Sequence, residues 1–222
     1  GIRLPGGTSG EQNAPMRALG VHLIEHGDDF TEASDHAAQL AEARGALRVP
    51  SFHADLVSGV ATYWWEFLKA VPQLDVAYVP IGLGSGACAA IAAKLALGHK
   101  ARIVGVVSRH ATTYADSLAA GRVVEAPVST QIADGMAVRR ADAAALAAMT
   151  GRLDHVVQVS DDEVAGAMRS LYADTHNAAE GAGAAALAAA LQGRSNLRGQ
   201  CVGIALTGAN VDASVFAEVL GR

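Results

Sequence analysis

Apolar and polar positions follow two rhythms along this chain. Up to about residue 51 the apolar groups are short and sit in a polar background. "GGTSGEQ" (6–12) has no periodic face and reads as a loop. "NAPMRALG" (13–20) predicts a short helix closed by Gly20, a residue suited to the left-handed C-terminal cap. "VHLIEHG" (21–27) predicts a short strand. In "DDFTEASDHAAQLAEARG" (28–45), Phe30, Ala33, Ala37, Leu40 and Ala41 fall on one helical face. "LRVPS" (47–51) predicts a second short strand.

From Phe52 the apolar segments lengthen. "DLVSGVATYWWEFLKAV" (55–71) predicts a helix stopped by Pro72. "DVAYVPI" (75–81) and "ARIVGVV" (101–107) predict buried strands, and "GACAAIAAKLAL" (86–97) the helix between them. Helices follow over 112–121 and 141–151, then a strand over 155–160. "DDEVAGAMRSLYADTHN" (161–177) predicts a helix capped by Ser160 or Asp161, with acids in its first turn. A helix over 181–193, a strand over 201–208 and a helix over 212–220 complete the series. Strands alternating with helices imply an α/β fold, a mainly parallel sheet with helices on both faces. Ligands of such sheets bind at the carboxyl ends of the strands. Two of those ends carry glycines, Gly82 and Gly208, and both are expected to face one site.

Composition narrows the function. Half of the 222 residues are apolar (51%), 18% are charged and the net charge is -5. That balance gives no expectation of nucleic acid or an anionic membrane surface as partner. Cys88 and Cys201 lie far apart in apolar settings and are expected to be small buried hydrophobes. The longest small-apolar run, 181–191, is too short to span a bilayer, no signal peptide is visible, and a cytoplasmic protein is expected. The chain starts at Gly1 without methionine, so it is expected to be trimmed, processed or a piece of something longer.

The candidate chemistry starts in "GLGSG" (82–86), between a strand and a helix. Glycines allow close backbone approach, and a helix start offers free N–H groups and the positive end of the dipole. The Ser85 hydroxyl adds a donor. A phosphate or carboxylate is the natural guest. Gly82, Gly84 and Gly86 fit the dinucleotide fingerprint loosely, but the next strand ends "VVSRH" (106–110) without the acid that would bind ribose, leaving only Arg109 to read a 2′-phosphate. The competing reading is the single phosphate of a smaller cofactor.

Several blocks together resemble one family. "NAPMRALGVHLIEHGDDF", "VPSFHADLVSGVATYWWE", "VPIGLGSG", "IADGMAVR", "VSDDEVAGAMR", "DTHNAAEGAGAAALAAAL" and "LTGANVD" occur in the order seen in threonine dehydratases (threonine ammonia-lyases). These are pyridoxal-phosphate enzymes of the tryptophan-synthase β type, alongside serine racemase. The resemblance covers nearly the whole chain and implies the two-domain pyridoxal-phosphate fold type II. Residues 1–51 would be the remainder of the smaller domain and 52–222 most of the larger, cofactor-binding one. It implies that Gly82, Leu83, Gly84, Ser85 and Gly86 hold the phosphate of pyridoxal 5′-phosphate. Thr207 matches the residue facing the pyridine nitrogen. Gly135 and Glu180 match positions near the ring and its 3′-oxygen, and Asn210 and Asp212 a structural tail. A hydroxyl at the ring nitrogen does not enforce protonation there as a carboxylate would, which suits loss of a β-hydroxyl. The implied activity is dehydration and deamination of L-threonine or L-serine, a small amino-acid substrate, to a 2-oxo acid and ammonia. Racemisation or elimination on serine or 3-hydroxyaspartate, or a non-catalytic paralogue that only binds a ligand, are the alternatives.

The family's Schiff-base lysine lies in an early motif, an aromatic followed by lysine. Lys69, Lys94 and Lys100 are the only lysines, none in such a motif, and all read as surface charge. The block "GIRLPGGTSGEQ" resembles a shortened strand–Pro–loop segment of the family. The expectation is a fragment of a longer enzyme, unable to turn over alone. Where some relatives place a cation-binding acid this chain has Val107, and Asp116 alone would make a weak site, so no metal is expected there. None of the eight histidines shows ligand spacing, and His176, near Glu180, is the one to locate. Trp64 and Trp65 cannot both face one core, so one of them is a candidate subunit contact in a homo-oligomer, dimer or tetramer.

Overall fold

The computed structural model describes residues 2–4 and 10–221, with side chains from Asn13 onward. The first segment forms β1 (Ile2–Leu4), α1 (Gly10–Ala18), β2 (Leu23–Glu25) and α2 (Phe30–Ala43), with β1 and β2 paired in parallel. The expected loop over 6–12 lies outside the described residues over 6–9, and its last three residues are helical instead. The expected strand over 47–51 does not form: Leu47 and Val49 are 91% and 77% exposed. Its apolar alternation meets no partner strand, and Pro50 brings no N–H to a ladder. α2 begins on Asp29, whose carboxylate accepts from the Glu32 amide at 2.8 Å.

The remaining described strands and α-helices are α3 (Ala54–Ala70), β3 (Val76–Pro80), α4 (Ser85–Leu97), β4 (Arg102–Ser108), α5 (Thr113–Ala120), α6 (Ala143–Met149), β5 (Val156–Val159), α7 (Asp161–Thr175), α8 (Gly181–Gln192), β6 (Val202–Ile204) and α9 (Ala213–Gly221). Their four strands form one parallel sheet in the order β5-β4-β3-β6. Alternate side chains serve opposite layers. Ala77, Val79, Ile103 and Val107 pack with α3, α4 and α6, while Val76, Tyr78, Val104 and Val106 pack with α7 and α8. Strands covered on both faces read as continuous apolar runs, which is why 75–81 and 101–107 were legible.

Capping follows the sequence closely at α7. Ser160 accepts from the Glu163 amide and Glu163 accepts from the Ser160 amide, a reciprocal capping box. α8 is buried over Gly181–Ala186. A methyl on Gly181 would meet the Ile132 carbonyl oxygen, and one on Gly183 the Gly208 backbone. Its small residues therefore let two loops lie directly against the helix. In α3, Val57, Val60, Ala61, Trp64 and Leu68 form the inward stripe. Trp64 is fully buried while Trp65 is 42% exposed, with the Lys69 ammonium 6.0 Å from its ring.

Salt bridges tie the first segment to the second. Arg139 Nε lies 2.6 Å from Asp29 Oδ2, and Arg140 Nη2 lies 2.6 Å from Asp35 Oδ1. No helix among the described residues is long and apolar enough to cross a membrane.

Candidate cofactor site

The chain order of the sheet decides where a site can form. From β3 the chain runs outward to β4 and β5, then returns to place β6 on the other side of β3. The chain leaves β3 for α4 in one layer and β6 for α9 in the other, and a crevice opens at the carboxyl ends of these two strands. A cavity of about 510 Å³ occupies that crevice, within the usual range for small-molecule sites. Gly82, Leu83, Gly84, Ser85, Gly86, Gly135, Glu180 and Thr207 all line it. The structure therefore brings together the eight residues that the resemblance assigned to the cofactor, whereas Gly208, expected to face the same site, is not in the lining and lies instead against Glu180 and Gly183. A smaller apolar cavity of about 290 Å³ lies near α5, α6 and the start of β5, away from these strand ends.

Local geometry explains the glycines. Gly84 caps α4 with φ 97°, a left-handed conformation, and no side chain caps this helix start. A methyl on Gly82 would run into the Gly135 carbonyl oxygen. Gly135 belongs to a tight 3₁₀ turn, Asp134–Met136, that forms the facing wall. The amides of residues 82–86 donate to no described residue, and neither the Ser85 nor the Thr207 hydroxyl has a hydrogen-bonding partner among them. Unpaired donors at a helix start, with no acid in the loop, make a cradle for an anion.

Glu180 supplies the acidic side of the cavity. It precedes α8, and its Oε2 accepts from the Asn210 amide at 3.0 Å. Burial pushes its carboxyl above the usual carboxylate range. The Asn210 hydrogen bond opposes this and the Asp134 charge adds to it. The folded state thus holds this proton more tightly than the unfolded chain does. The stability this group contributes is full below the unfolded carboxyl range and is lost as pH rises through the raised folded value. Without added cofactor, Glu180→Gln is expected to melt above the wild-type chain near about pH 7 and to lose that advantage near about pH 4. A pH series of thermal melts measures this.

Val60 and Tyr63 of α3, with Pro80, Met136, Ala182 and Leu206, complete the lining and were not foreseen. Burial pushes the Tyr63 phenol up to about 12, so it enters the cavity as a neutral group. The i, i+3 spacing of Val60 and Tyr63 beside Trp64 was the available signal, but it reads equally as core. His176 lies outside the lining: it closes α7 in a left-handed conformation, φ 56°, and is exposed. None of the three lysines lines the cavity. Among the described residues no group of three or more His, Cys, Asp or Glu side chains could hold a metal ion.

Known proteins are similar to this chain in sequence and fold. A family model described as "Pyridoxal-phosphate dependent enzyme" matches residues 2–208. An L-threonine ammonia-lyase of Geobacter sulfurreducens is 35% identical over all of this chain and 55% of its own length. The processed form of threonine deaminase isoform 2 from Solanum lycopersicum superposes with a TM-score of 0.89 at 26% identity, covering 99% of this chain and 65% of that one. Maize serine racemase gives 0.87 at 26% identity, over 99% and 68%. The chain spans about half the length of the curated relatives it matches.

Proposed function

We propose, from the premise that this chain belongs to the pyridoxal-phosphate-dependent enzyme family, that it is the cofactor-holding part of an ammonia-lyase acting on L-threonine or L-serine. The observation that carries the reading is the convergence of unpaired donors on one cavity at the fork between β3 and β6. When bound, pyridoxal phosphate supplies the electron sink that makes the Cα proton of an amino acid removable.

The residues present fit that group. The amides of 82–86 and the Ser85 hydroxyl would hold its phosphate at the positive end of α4. The Thr207 hydroxyl would face the ring nitrogen as a neutral partner. Glu180, with Gly135, would border the opposite ring edge, its raised carboxyl able to keep or share a proton there. Tyr63 and Val60 would cover the ring from the α3 side and keep water off it. The close approach of Gly82 to Gly135 fixes the separation of the two walls. The amine that tethers the cofactor and moves the α-proton belongs, in this reading, to a part of the enzyme outside this sequence. Residues 1–51 would then be the remainder of a smaller domain and 52–222 the larger one. Trp65, exposed where Trp64 is buried, would then be the tryptophan available for contact with a second subunit.

The test uses pyridoxal phosphate and L-threonine. This chain is expected to perturb the cofactor's absorbance, to yield no covalent adduct after borohydride reduction, and to release no 2-oxo acid. A longer product of the same gene is expected to release 2-oxobutyrate. An unchanged cofactor spectrum at saturating protein would sink the reading. Formation of D-amino acid by the longer product would replace the lyase with a racemase.

A further inference from the structure

We propose that Tyr114 is a positioning residue for the phosphate cradle, acting on the loop from behind without touching the cavity. Its side chain is buried, 2% exposed, and it is absent from the cavity lining. The phenol donates to the Leu83 carbonyl at 2.7 Å and accepts from the Asp142 amide at 3.0 Å. One hydroxyl thus joins the glycine loop to the start of α6.

The geometry gives that bond a direction. In a trans peptide the C=O and the following N–H point opposite ways in one plane. Holding the Leu83 carbonyl toward Tyr114 turns the Gly84 N–H away from it. Leu83 and Gly84 both line the cavity, and that N–H is one of the donors without a described acceptor. α6 completes the support: a Cβ on Gly84 would meet Ala145 Cβ at 3.0 Å and Met149 Cε at 3.1 Å. The loop cannot retreat that way. Burial also pushes the phenol above its ordinary range, so it remains a donor through the working pH range.

The inference rests on the cavity being the cofactor site, and the experiment separates the two. The full 222-residue chain is titrated calorimetrically with pyridoxal 5′-phosphate and with pyridoxal, which lacks the phosphate. Tyr114→Phe keeps the ring and its packing but leaves two part-buried backbone groups without their partner. It is expected to weaken pyridoxal phosphate binding by about tenfold and pyridoxal binding by less than about twofold. Amide exchange at Asp142, whose N–H loses its bond to the phenol, should quicken in the same variant. Met168→Leu, a change in the buried layer on the other side of the sheet, is expected to lower the melting temperature while keeping the ratio of the two affinities. Equal losses for both ligands in Tyr114→Phe, or no loss, would overturn the positioning role and leave the cofactor site standing. A wild-type chain with no preference for the phosphorylated ligand would sink the cofactor reading itself, and this inference with it.

Discussion

Gly82→Ala is expected to abolish measurable pyridoxal phosphate binding, whereas Gly86→Ala, four residues along the same loop, weakens it only a few-fold. The two glycines differ in what a methyl would meet. At Gly82 it would strike the Gly135 carbonyl oxygen, with the Gly135 carbonyl carbon 3.6 Å and Met136 Cα 3.9 Å away. All three are backbone atoms, so no rotamer change relieves the clash. Either the β3–α4 loop or the 134–136 turn must move, and these are the two facing walls of the cavity. At Gly86 the nearest atom is Val79 Cγ2 at 3.5 Å, an ordinary contact. Overpacking of the Gly82 kind costs about 1–3 kcal/mol, and here the displacement falls on the donors themselves. Cofactor titration of both variants, with thermal melts, makes the comparison. Equal damage from both substitutions would mean that the loop needs glycine for flexibility rather than for close approach.

The second large effect concerns stability. Trp64→Ala is expected to cost about 3–5 kcal/mol, the range for emptying a buried aromatic site, and Trp65→Ala less than about 1 kcal/mol. Trp64 is fully buried in the layer between α3 and the sheet, its ring 5.9 Å from that of Phe67 and 5.1 Å from that of Tyr63. Losing it removes a large share of a typical domain's total stability. Because Tyr63 lines the cavity, cofactor affinity should fall as well. Denaturant unfolding at equilibrium gives both costs. If Trp65→Ala proved the more damaging, sedimentation of the same variants would show whether a subunit contact had been lost.

How much of this was legible in the sequence depends on where each residue finds its partner. β3, β4 and α8 were readable because burial on all sides leaves an unbroken run of small or branched apolar residues. The α7 cap was readable because Ser160 and Glu163 satisfy each other within four residues. "LRVPS" misled because alternation alone does not supply a neighbouring strand. The glycine loop announced an anion, and the resemblance gave it a phosphate. The support behind the loop was out of reach: Tyr114 looks like one apolar position of a short helix until the fold sets its hydroxyl against Leu83, 31 positions away in the chain. The α3 wall was hidden for a related reason, since Val60 belongs to the stripe that Trp64 and Leu68 bury and Tyr63 sits at its edge.

The pairing of β3 with β6 also has a consequence for how the molecule is made. Val76 is matched to Val202, and Tyr78 to Ile204, with every other strand of this sheet synthesised between them. While the chain emerges from the ribosome, β3 can pair with β4 and β4 with β5, but the far edge of β3 stays bare until residues past 204 are free. Such long-range closure is slow, and an open edge awaiting its strand is prone to wrong partners. The loop 82–86 is thus finished well before the Thr207 wall of the same cavity. A nascent chain halted before β6 would carry half of the crevice, and pulse-labelled chains of increasing length should become protease-resistant at β3 only after residue 207 has left the exit tunnel.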